Sequence, residues 1–287
     1  MNLNFVVPGF SKCGTTTLCA LLNDHPDIFI PPIKEPNFFA FNYDKGWDHF
    51  QSLFNGARKD QLLGEGSTTY STGEFGELAA TRIAARFPDI RVLFIARHPI
   101  KRIESSFREM HHRGERFGLS ASFSVGEALK SLAMIPDTLY WERISSFRSR
   151  LPENNIHVLF LEDFQKNPDK ILARCFEFLG VDPFASIENT SRRLNPGSMK
   201  LYDTVAMRYI RNNGWSRRLW NRIPVNRRDR FARRLGLRRP FTQPVAWDEE
   251  TWNWLVAQIA PDAHQFLEFY GKPADFWSFD FAAAGTE

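Results

Sequence analysis

The chain has 287 residues, of which 43 % are hydrophobic, and its formal net charge is +4. This length is enough for one large α/β domain or two small ones, and the mildly basic charge favours anionic ligands without requiring nucleic acid. The N-terminus has no basic n-region and no long apolar h-region, and no stretch approaches 18 apolar residues. We therefore expect neither a signal peptide nor a transmembrane span.

Three cysteines, Cys13, Cys19 and Cys175, are present, and none belongs to a C-x-x-C pair. An odd number without such spacing indicates neither a disulfide framework nor a zinc site. A reducing, cytoplasmic environment fits this usage best.

Apolar strand patterns alternate with helical patterns along the first two thirds of the chain. The predicted strands cover residues 4–7, 62–64, 91–96 and 156–161. The predicted helices cover residues 16–23, 75–87, 100–112, 125–133, 139–150 and 168–179, and a closing amphipathic helix covers 248–271. Continuous apolar strands between helices favour an α/β fold with three layers, a P-loop-like arrangement of a central parallel sheet flanked by helices. Ligands bind such folds beyond the carboxyl ends of the strands.

The first predicted strand leads into a loop suited to a phosphate-like anion. The sequence FVVPGFSKCGTTTL over residues 5–18 is typical of a strand, a tight loop and a helix. In a Walker A loop the lysine follows the second glycine, whereas Lys12 precedes Gly14 by two residues. Glycines let the backbone approach an anion, and the helix N-terminus adds N–H donors. We predict that the anion is bound by Gly9, Ser11, Lys12, Cys13, Gly14, Thr15, Thr16 and Thr17.

A second anion site is predicted after the strand at residues 91–96. Arg97 follows this strand directly, and Ser105 comes eight residues later in a helix that Pro99 opens. Arginine with a hydroxyl suits a terminal phosphate dianion, because the guanidinium group can bind two oxygens. A P-loop kinase or NTPase usually ends a neighbouring strand in an aspartate that helps hold Mg²⁺, and this strand ends in Arg97 instead.

These two motifs together resemble those of sulfotransferases that use 3′-phosphoadenosine-5′-phosphosulfate (PAPS). The GFSKCGTTTL loop is similar to the K-x-G-T-[TR] loop of the heparan sulfate N- and 3-O-sulfotransferase branch and its bacterial relatives. The resemblance covers residues 4–181 and implies that the loop binds the 5′-phosphosulfate of PAPS, while Arg97 and Ser105 bind the 3′-phosphate. It implies no metal, with Lys12 neutralising the leaving phosphate and 3′,5′-ADP as the product.

The same resemblance implies a catalytic base on the acceptor side. Glu35, Phe38 and Phe39 match the family's E-x-x-F-F segment, in which the carboxylate deprotonates the acceptor hydroxyl or, less readily, an amine. Cytosolic small-molecule sulfotransferases use a histidine base, so His111 and His112 are the rivals of Glu35. The acceptor classes left open are a carbohydrate, a glycolipid and a polyketide or peptide natural product.

One family position departs from the pattern. Residues 64–70 correspond to the family's E-K-[TS]-P-x-Y segment, but Gly66 stands where the heparan enzymes have a lysine. The role of that lysine could be taken by Lys34, by an arginine elsewhere or by Ser67. Tyr70 matches the tyrosine of the family segment and is expected beside the acceptor. A loop that closes over the nucleotide is expected near Arg192 and Arg193.

The remaining segment, residues 182–287, includes a stretch of unusual composition. Residues 207–240 contain twelve arginines and a single acidic residue, Asp229. Such a run suits a solvated helix face, an anionic acceptor or an anionic membrane surface, and nucleic acid is the weakest alternative because no recognised module accompanies the run. Because no linker separates the halves, we expect one domain over residues 1–287, in the cytoplasm and with peripheral membrane binding as an option. The rival functions are a P-loop kinase or NTPase and a basic membrane- or nucleic-acid-binding module.

Overall fold

The structure is a computed structural model of the chain. It describes residues 1–113, 125–131, 133–185, 187, 201–220, 222–223, 225–240 and 245–281.

The described residues contain a five-stranded, wholly parallel sheet in the order β2-β3-β1-β4-β5. The strands are β1 (Phe5–Gly9), β2 (Ile28–Phe29), β3 (Leu62–Gly66), β4 (Arg91–Ala96) and β5 (Ile156–Phe160). β1 lies in the middle, with Phe5 opposite Gly64 on one side and Arg91 on the other. The carboxyl ends of β3, β1 and β4 therefore lie side by side, which is where α/β folds bind ligands.

Apolar residues along the central strands explain why they form a buried parallel sheet. Val6, Val7 and Phe94 are all 0 % exposed. Strands covered on both faces need continuous apolar side chains, and each large side chain buried in this way contributes about 1.5–3 kcal/mol. The sheet thus holds its loops on a rigid base.

Helices connect and follow the strands. In the described part of the chain they are α1 (Thr15–Asn23), α2 (Trp47–Ser52), α3 (Gly76–Arg86), α4 (Pro99–Arg113), α5 (Val125–Ser131), α6 (Tyr140–Arg148), α7 (Leu161–Lys166), α8 (Pro168–Leu179), α9 (Val205–Asn212), α10 (Gly214–Trp220), α11 (Val225–Arg234) and α12 (Glu249–Phe269). The predicted parallel sheet flanked by helices is confirmed. Strand β2 was not predicted, because two residues are too short to show a periodic pattern.

The chain divides into two compact units. The first contains residues 1–102, 135–194 and 256–279, and includes the parallel sheet. The second contains residues 103–134, 195–255 and 280–287. The single domain expected from the sequence stays a prediction.

The second unit has a small core of its own. Met207, Trp220 and Ala232 pack together, one from each of α9, α10 and α11. A two-stranded antiparallel ribbon pairs β6 (Leu201–Asp203) with β7 (Arg238–Pro240). Asp203 and Arg238 form a buried ion pair across this ribbon, with 2.8 Å between Oδ1 and Nε.

None of the helices in the described ranges has both the length and the apolar character that crossing a membrane requires. The same ranges hold no group of three or more His, Cys, Asp or Glu side chains arranged to hold a metal ion.

Candidate active site

The loop between β1 and α1 has the backbone shape of an anion cradle. Lys12 and Gly14 have φ angles of 67° and 102°, so the chain twice enters the left-handed region before α1 begins at Thr15. Gly9 is required by close packing, because a Cβ at this position would lie 2.2 Å from Ser71 Oγ, which donates a hydrogen bond to the Pro8 carbonyl. The N–H groups of Thr17 and Leu18 both donate to the Gly14 carbonyl at 3.0 Å. The N–H groups that precede them at the helix end are therefore the ones suited to an anion.

Arginine side chains from other segments donate hydrogen bonds to the loop between β1 and α1 and hold it in position. Arg97 follows β4, and its Nη1 donates to the Lys12 carbonyl at 3.3 Å. Arg102 donates from Nε to the Ser11 carbonyl at 3.2 Å and from Nη1 to Thr138 Oγ1 at 2.8 Å. Arg102 had no role in the sequence-based prediction, because its contact is with a carbonyl 91 residues away in the chain.

Tyr140 ties the same loop to the segment after β4. Its buried hydroxyl donates to the Arg97 carbonyl at 2.9 Å and lies 3.4 Å from Cys13 Sγ. Burial raises the pKa of the Cys13 thiol, and the side chain of Cys13 is 0 % exposed. The Cys13 side chain therefore packs into the protein, so any contact of Cys13 with an anion would involve its backbone.

Arg97 and Ser105 are placed on consecutive elements but in different units. Arg97 is half-buried at the carboxyl end of β4, and its Nε is buried with no hydrogen-bond partner among the described residues. Ser105 is half-buried within α4 and belongs to the second unit. Their shared binding of a 3′-phosphate stays a prediction. His98, which follows Arg97, is held by Glu162 Oε1, which accepts from the His98 N–H at 2.7 Å.

The carboxyl end of β3 carries a buried acidic group. Glu65 is 0 % exposed, and its Oε1 accepts from Ser67 Oγ at 2.6 Å and from the Tyr70 hydroxyl at 2.8 Å. Burial raises the pKa of Glu65 to about 7, against the lowering effect of these two hydrogen bonds, and the negative charge of Glu35 raises it further. Sequence analysis gave Glu65 no role, although its place beside Ser67 and Tyr70 was visible.

The charge of the half-buried Glu35 acts on Glu65 and on the thiol of Cys19 in α1. Burial raises the pKa of Cys19 to about 12, with Glu65 and Glu35 adding to the rise and Lys34 opposing it. A Cβ at Gly66 would lie 2.6 Å from Cys19 Sγ. Position 66 therefore faces α1 at the same place where Glu35 and Lys34 act, and a longer side chain there would displace Cys19.

The aromatic residues after Glu35 form a packed cluster. Phe38 and Phe39 are 2 % and 0 % exposed, and the Phe38 ring stacks on Phe50 with centroids 4.4 Å apart. Tyr70 is also fully buried and contacts Phe39 edge-on. The role of these three residues at the acceptor stays a prediction, and their burial indicates that they would act by supporting the Glu35 segment.

Some predicted site residues fall outside what the structure describes. Arg192 and Arg193 lie outside the described residues. His111 and His112 belong to the last turn of α4, and their side chains also lie outside the described part. In the first unit, the structure brings together the phosphate loop with Lys12, Arg97 after β4, and the Glu35–Glu65 pair near α1.

Comparison with known proteins shows what the chain is similar to. Residues 75–186 match the model of the sulfotransferase family. The chain is similar to sulfotransferases of two kinds. It is 25 % identical over 181 residues to heparan sulfate glucosamine 3-O-sulfotransferase 3B1 of Mus musculus, covering 61 % of this chain and 45 % of that protein. It is 24 % identical over 217 residues to the bifunctional heparan sulfate N-deacetylase/N-sulfotransferase of Drosophila melanogaster, covering 66 % and 20 %.

A solved structure extends this comparison. The sulfotransferase from Alicyclobacillus acidocaldarius superposes with a TM-score of 0.59 at 27 % identity, covering 68 % of this chain and 87 % of that one. The resemblance to the heparan sulfate branch and to a bacterial sulfotransferase is thus confirmed. The chain spans less than half the length of the two curated relatives.

The buried carboxyl of Glu65 leads to a prediction on stability. A carboxyl whose pKa rises from 4.5 to about 7 on folding binds its proton more tightly in the folded state. The free energy of unfolding should therefore fall as pH rises through this window and level off above it. The difference corresponds to about 3 kcal/mol. In urea titrations between pH 4 and 8, the variant Glu65→Gln should lose this fall.

A matched control is available in the same unit. Asp262 accepts hydrogen bonds from the Trp141 and Glu142 N–H groups, and burial raises its pKa from 3.8 to about 6. The variant Asp262→Asn should flatten the stability curve below about pH 6 and keep the fall between pH 6 and 7. An unchanged fall above pH 6 in Glu65→Gln would contradict the prediction.

Proposed function

We propose that the chain transfers a sulfuryl group from PAPS to an acceptor hydroxyl. The observation that carries this proposal is the hydrogen bond from Arg97, at the end of β4, to the carbonyl of Lys12 in the loop after β1. Two cationic residues that follow adjacent parallel strands therefore meet at one sheet edge, through the Arg97 side chain and the Lys12 backbone. Such a pair suits a ligand with two separate anionic groups.

In this proposal, different site residues bind the two anionic groups of PAPS. The N–H groups at the start of α1 and the ammonium of Lys12 receive the 5′-phosphosulfate. Arg97 and Ser105 receive the 3′-phosphate. No metal is needed, since a sulfuryl group carries less charge than a phosphoryl group and Lys12 supplies the cation.

Glu35 acts as the general base in this proposal. Its carboxylate takes the proton of the acceptor hydroxyl while the acceptor oxygen bonds to sulfur. The bond between sulfur and the bridging oxygen of the 5′-phosphate breaks, and 3′,5′-ADP leaves. Lys12 and the loop amides stabilise the charge that moves onto this phosphate, which is the work of a preorganised anion site. His111 and His112 are the alternative bases.

The acceptor is proposed by chemical class. Two relatives bear names that refer to heparan sulfate, so a sugar hydroxyl is the first class to test. Glycolipids and polyketide or peptide natural products are the next classes. Transfer of labelled sulfate from PAPS onto desulfated heparan sulfate, a glycolipid extract and a phenol would rank these classes directly.

One calorimetric titration tests the donor. Without metal, the chain should bind 3′,5′-ADP with micromolar or lower Kd and bind ATP at least about tenfold more weakly, because only the former carries the 3′-phosphate. The reverse order of affinities would overturn the proposal in favour of a kinase or NTPase. Binding of neither nucleotide would favour a non-catalytic basic module.

The basic helices of the second unit support a peripheral membrane contact. Trp215 and Tyr209 are 74 % and 68 % exposed, and Leu235 is 55 % exposed. On α11, Phe231 shares one face with Arg227, Arg230 and Arg234 because these residues are spaced three and four apart. All three arginines are exposed.

An anionic bilayer fits the combination of exposed apolar side chains and arginines better than a sulfated glycan does. Apolar rings can enter the interface while arginines bind lipid phosphates, with about 1 kcal/mol for each cation near the surface. A glycan offers no apolar phase for the tryptophan and leucine side chains. We infer a cytoplasmic protein that binds membranes peripherally, and the three unpaired cysteines suit that reducing compartment.

Vesicle binding checks this contact. The chain should co-sediment with vesicles containing 30 % phosphatidylserine and not with pure phosphatidylcholine, and Trp215→Ser with Phe231→Ser should weaken binding about tenfold. Trp254→Ser is the matched control, since Trp254 is an exposed tryptophan on α12 outside the basic segment. Tight binding of heparin without vesicle binding would instead assign the segment to an anionic acceptor.

A further inference from the structure

The buried carboxyl of Glu65 is connected to the segment after Glu35 by two hydrogen-bonded hydroxyls. Ser67 Oγ accepts from the Asn37 N–H at 2.9 Å, and the Tyr70 hydroxyl accepts from the Phe39 N–H at 3.1 Å. Each hydroxyl has one proton, and in both cases this proton is donated to Oε1 of Glu65. The carboxyl oxygen of Glu65 therefore orients both hydroxyls as acceptors for the loop.

The loop needs this support because its backbone is strained. Glu35 and Asn37 both have a φ of 52°, a left-handed conformation that is rare for residues other than glycine. Such residues keep this geometry only where surrounding contacts over-determine it. Two further bonds contribute: Asn37 Nδ2 donates to the Glu35 carbonyl at 2.7 Å, and Thr69 Oγ1 donates to Asn37 Oδ1 at 2.5 Å.

Burial and two hydrogen bonds make Glu65 the anchor of the network. Glu65, Ser67 and Tyr70 are all 0 % exposed, so water does not compete for these bonds. Hydrogen bonds in such low-dielectric surroundings are stronger than the same bonds exposed to water. Each hydroxyl donates its single proton to Glu65, so loss of Glu65 would remove the acceptor of two buried donors.

We propose that Glu65 is a positioning residue that holds the Glu35 carboxylate in place through Ser67, Tyr70 and the backbone of residues 37–39. The proposal rests on the proposed function, in which Glu35 is the base. Glu65 itself cannot reach an acceptor because it is fully buried. The titratable groups that act on Glu65 or share its surroundings are Glu35, Cys19 and Tyr70, with Lys34 acting on Cys19.

Amide hydrogen exchange measured by NMR tests the network without any substrate. In Glu65→Leu, exchange of the Asn37 and Phe39 amides should accelerate at least tenfold, since the reoriented hydroxyls no longer have to accept from them. Glu65→Gln keeps an acceptor oxygen and should show a smaller acceleration. Asp262→Asn removes a buried carboxyl elsewhere in the unit and should leave both amides unchanged. Should Glu65→Leu fail to fold, Ser67→Ala should expose the Asn37 amide alone and Tyr70→Phe the Phe39 amide alone.

Kinetics separate positioning from a merely structural role. With PAPS and the best acceptor found, Glu65→Leu should lower kcat at least about tenfold, with partial rescue in Glu65→Gln. The Kd for 3′,5′-ADP should change less than twofold in both variants. Unchanged exchange at Asn37 and Phe39, or nucleotide affinity that falls in parallel with kcat, would overturn the proposal. Failure of the wild-type chain to bind 3′,5′-ADP would instead overturn the proposed function. The exchange measurement would still test the hydrogen-bond network, because it uses no substrate.

Discussion

Replacement of Lys12 by alanine is expected to lower sulfate transfer by about a thousandfold. Lys12 lies in the loop between β1 and α1 and would be the full charge that meets the leaving phosphate. Removing one preorganised group of this type typically costs 10²–10³ in kcat, about 2.7–4 kcal/mol, and here a full charge is lost. Transfer of labelled sulfate from PAPS under saturating acceptor measures the loss.

The backbone of Lys12 requires a second variant. Its φ of 67° is costly for lysine and alanine alike and easy for glycine, so Lys12→Gly removes the charge with no strain in the loop. Both variants should lose activity alike, while Lys45→Ala, which removes an exposed lysine on the short turn Tyr43–Lys45, should not. Near-normal turnover in Lys12→Gly would remove the ammonium of Lys12 from the chemistry.

Replacement of Glu35 by glutamine is expected to lower kcat at least about a hundredfold and to spare nucleotide binding. General bases contribute 10²–10⁴ in rate, and glutamine keeps the shape of the side chain while losing its ability to take a proton. Because the backbone of Glu35 is held by the network below it, the substitution should not move the loop. The Kd for 3′,5′-ADP, measured by calorimetry, should change less than twofold.

Two variants make the result decisive. Glu74→Gln removes an exposed carboxylate in the same unit and should leave kcat unchanged. His111→Ala combined with His112→Ala tests the rival bases on α4. Normal turnover in Glu35→Gln together with a large loss in the histidine variant would transfer the role of base from Glu35 to the histidine pair.

The sheet could be predicted closely because its strands are buried on both faces. The strand at Arg91–Ala96 and the helix at Pro168–Leu179 have the bounds that the sequence indicated, since continuous apolar runs and a proline at the helix start are strong local features. β1 continues to Gly9, two residues beyond the predicted end, because the sheet pairs Gly9 with Phe94. Pairing of this kind depends on a distant strand, which local patterns do not show.

The site was predictable only where its chemistry is contiguous in sequence. The phosphate loop with Lys12, and Arg97 directly after its strand, could be found because a few neighbouring residues carry the motif. Arg102 and Tyr140 were missed because each contacts the loop from a distant segment. The role of Glu65 was not predicted, because the local sequence around a strand glutamate reveals neither its burial nor its hydrogen-bond partners.

Local residue patterns are enough to predict the strand–loop–helix order and the groups that can bind an anion. Tertiary packing brings the charge of Glu35 to act on Glu65, and it attaches a strained loop to a buried carboxyl through two hydroxyls. The reason is physical. Local patterns determine secondary structure through periodic burial, whereas the ionisation and hydrogen bonding of a carboxyl depend on which remote segments exclude water from it.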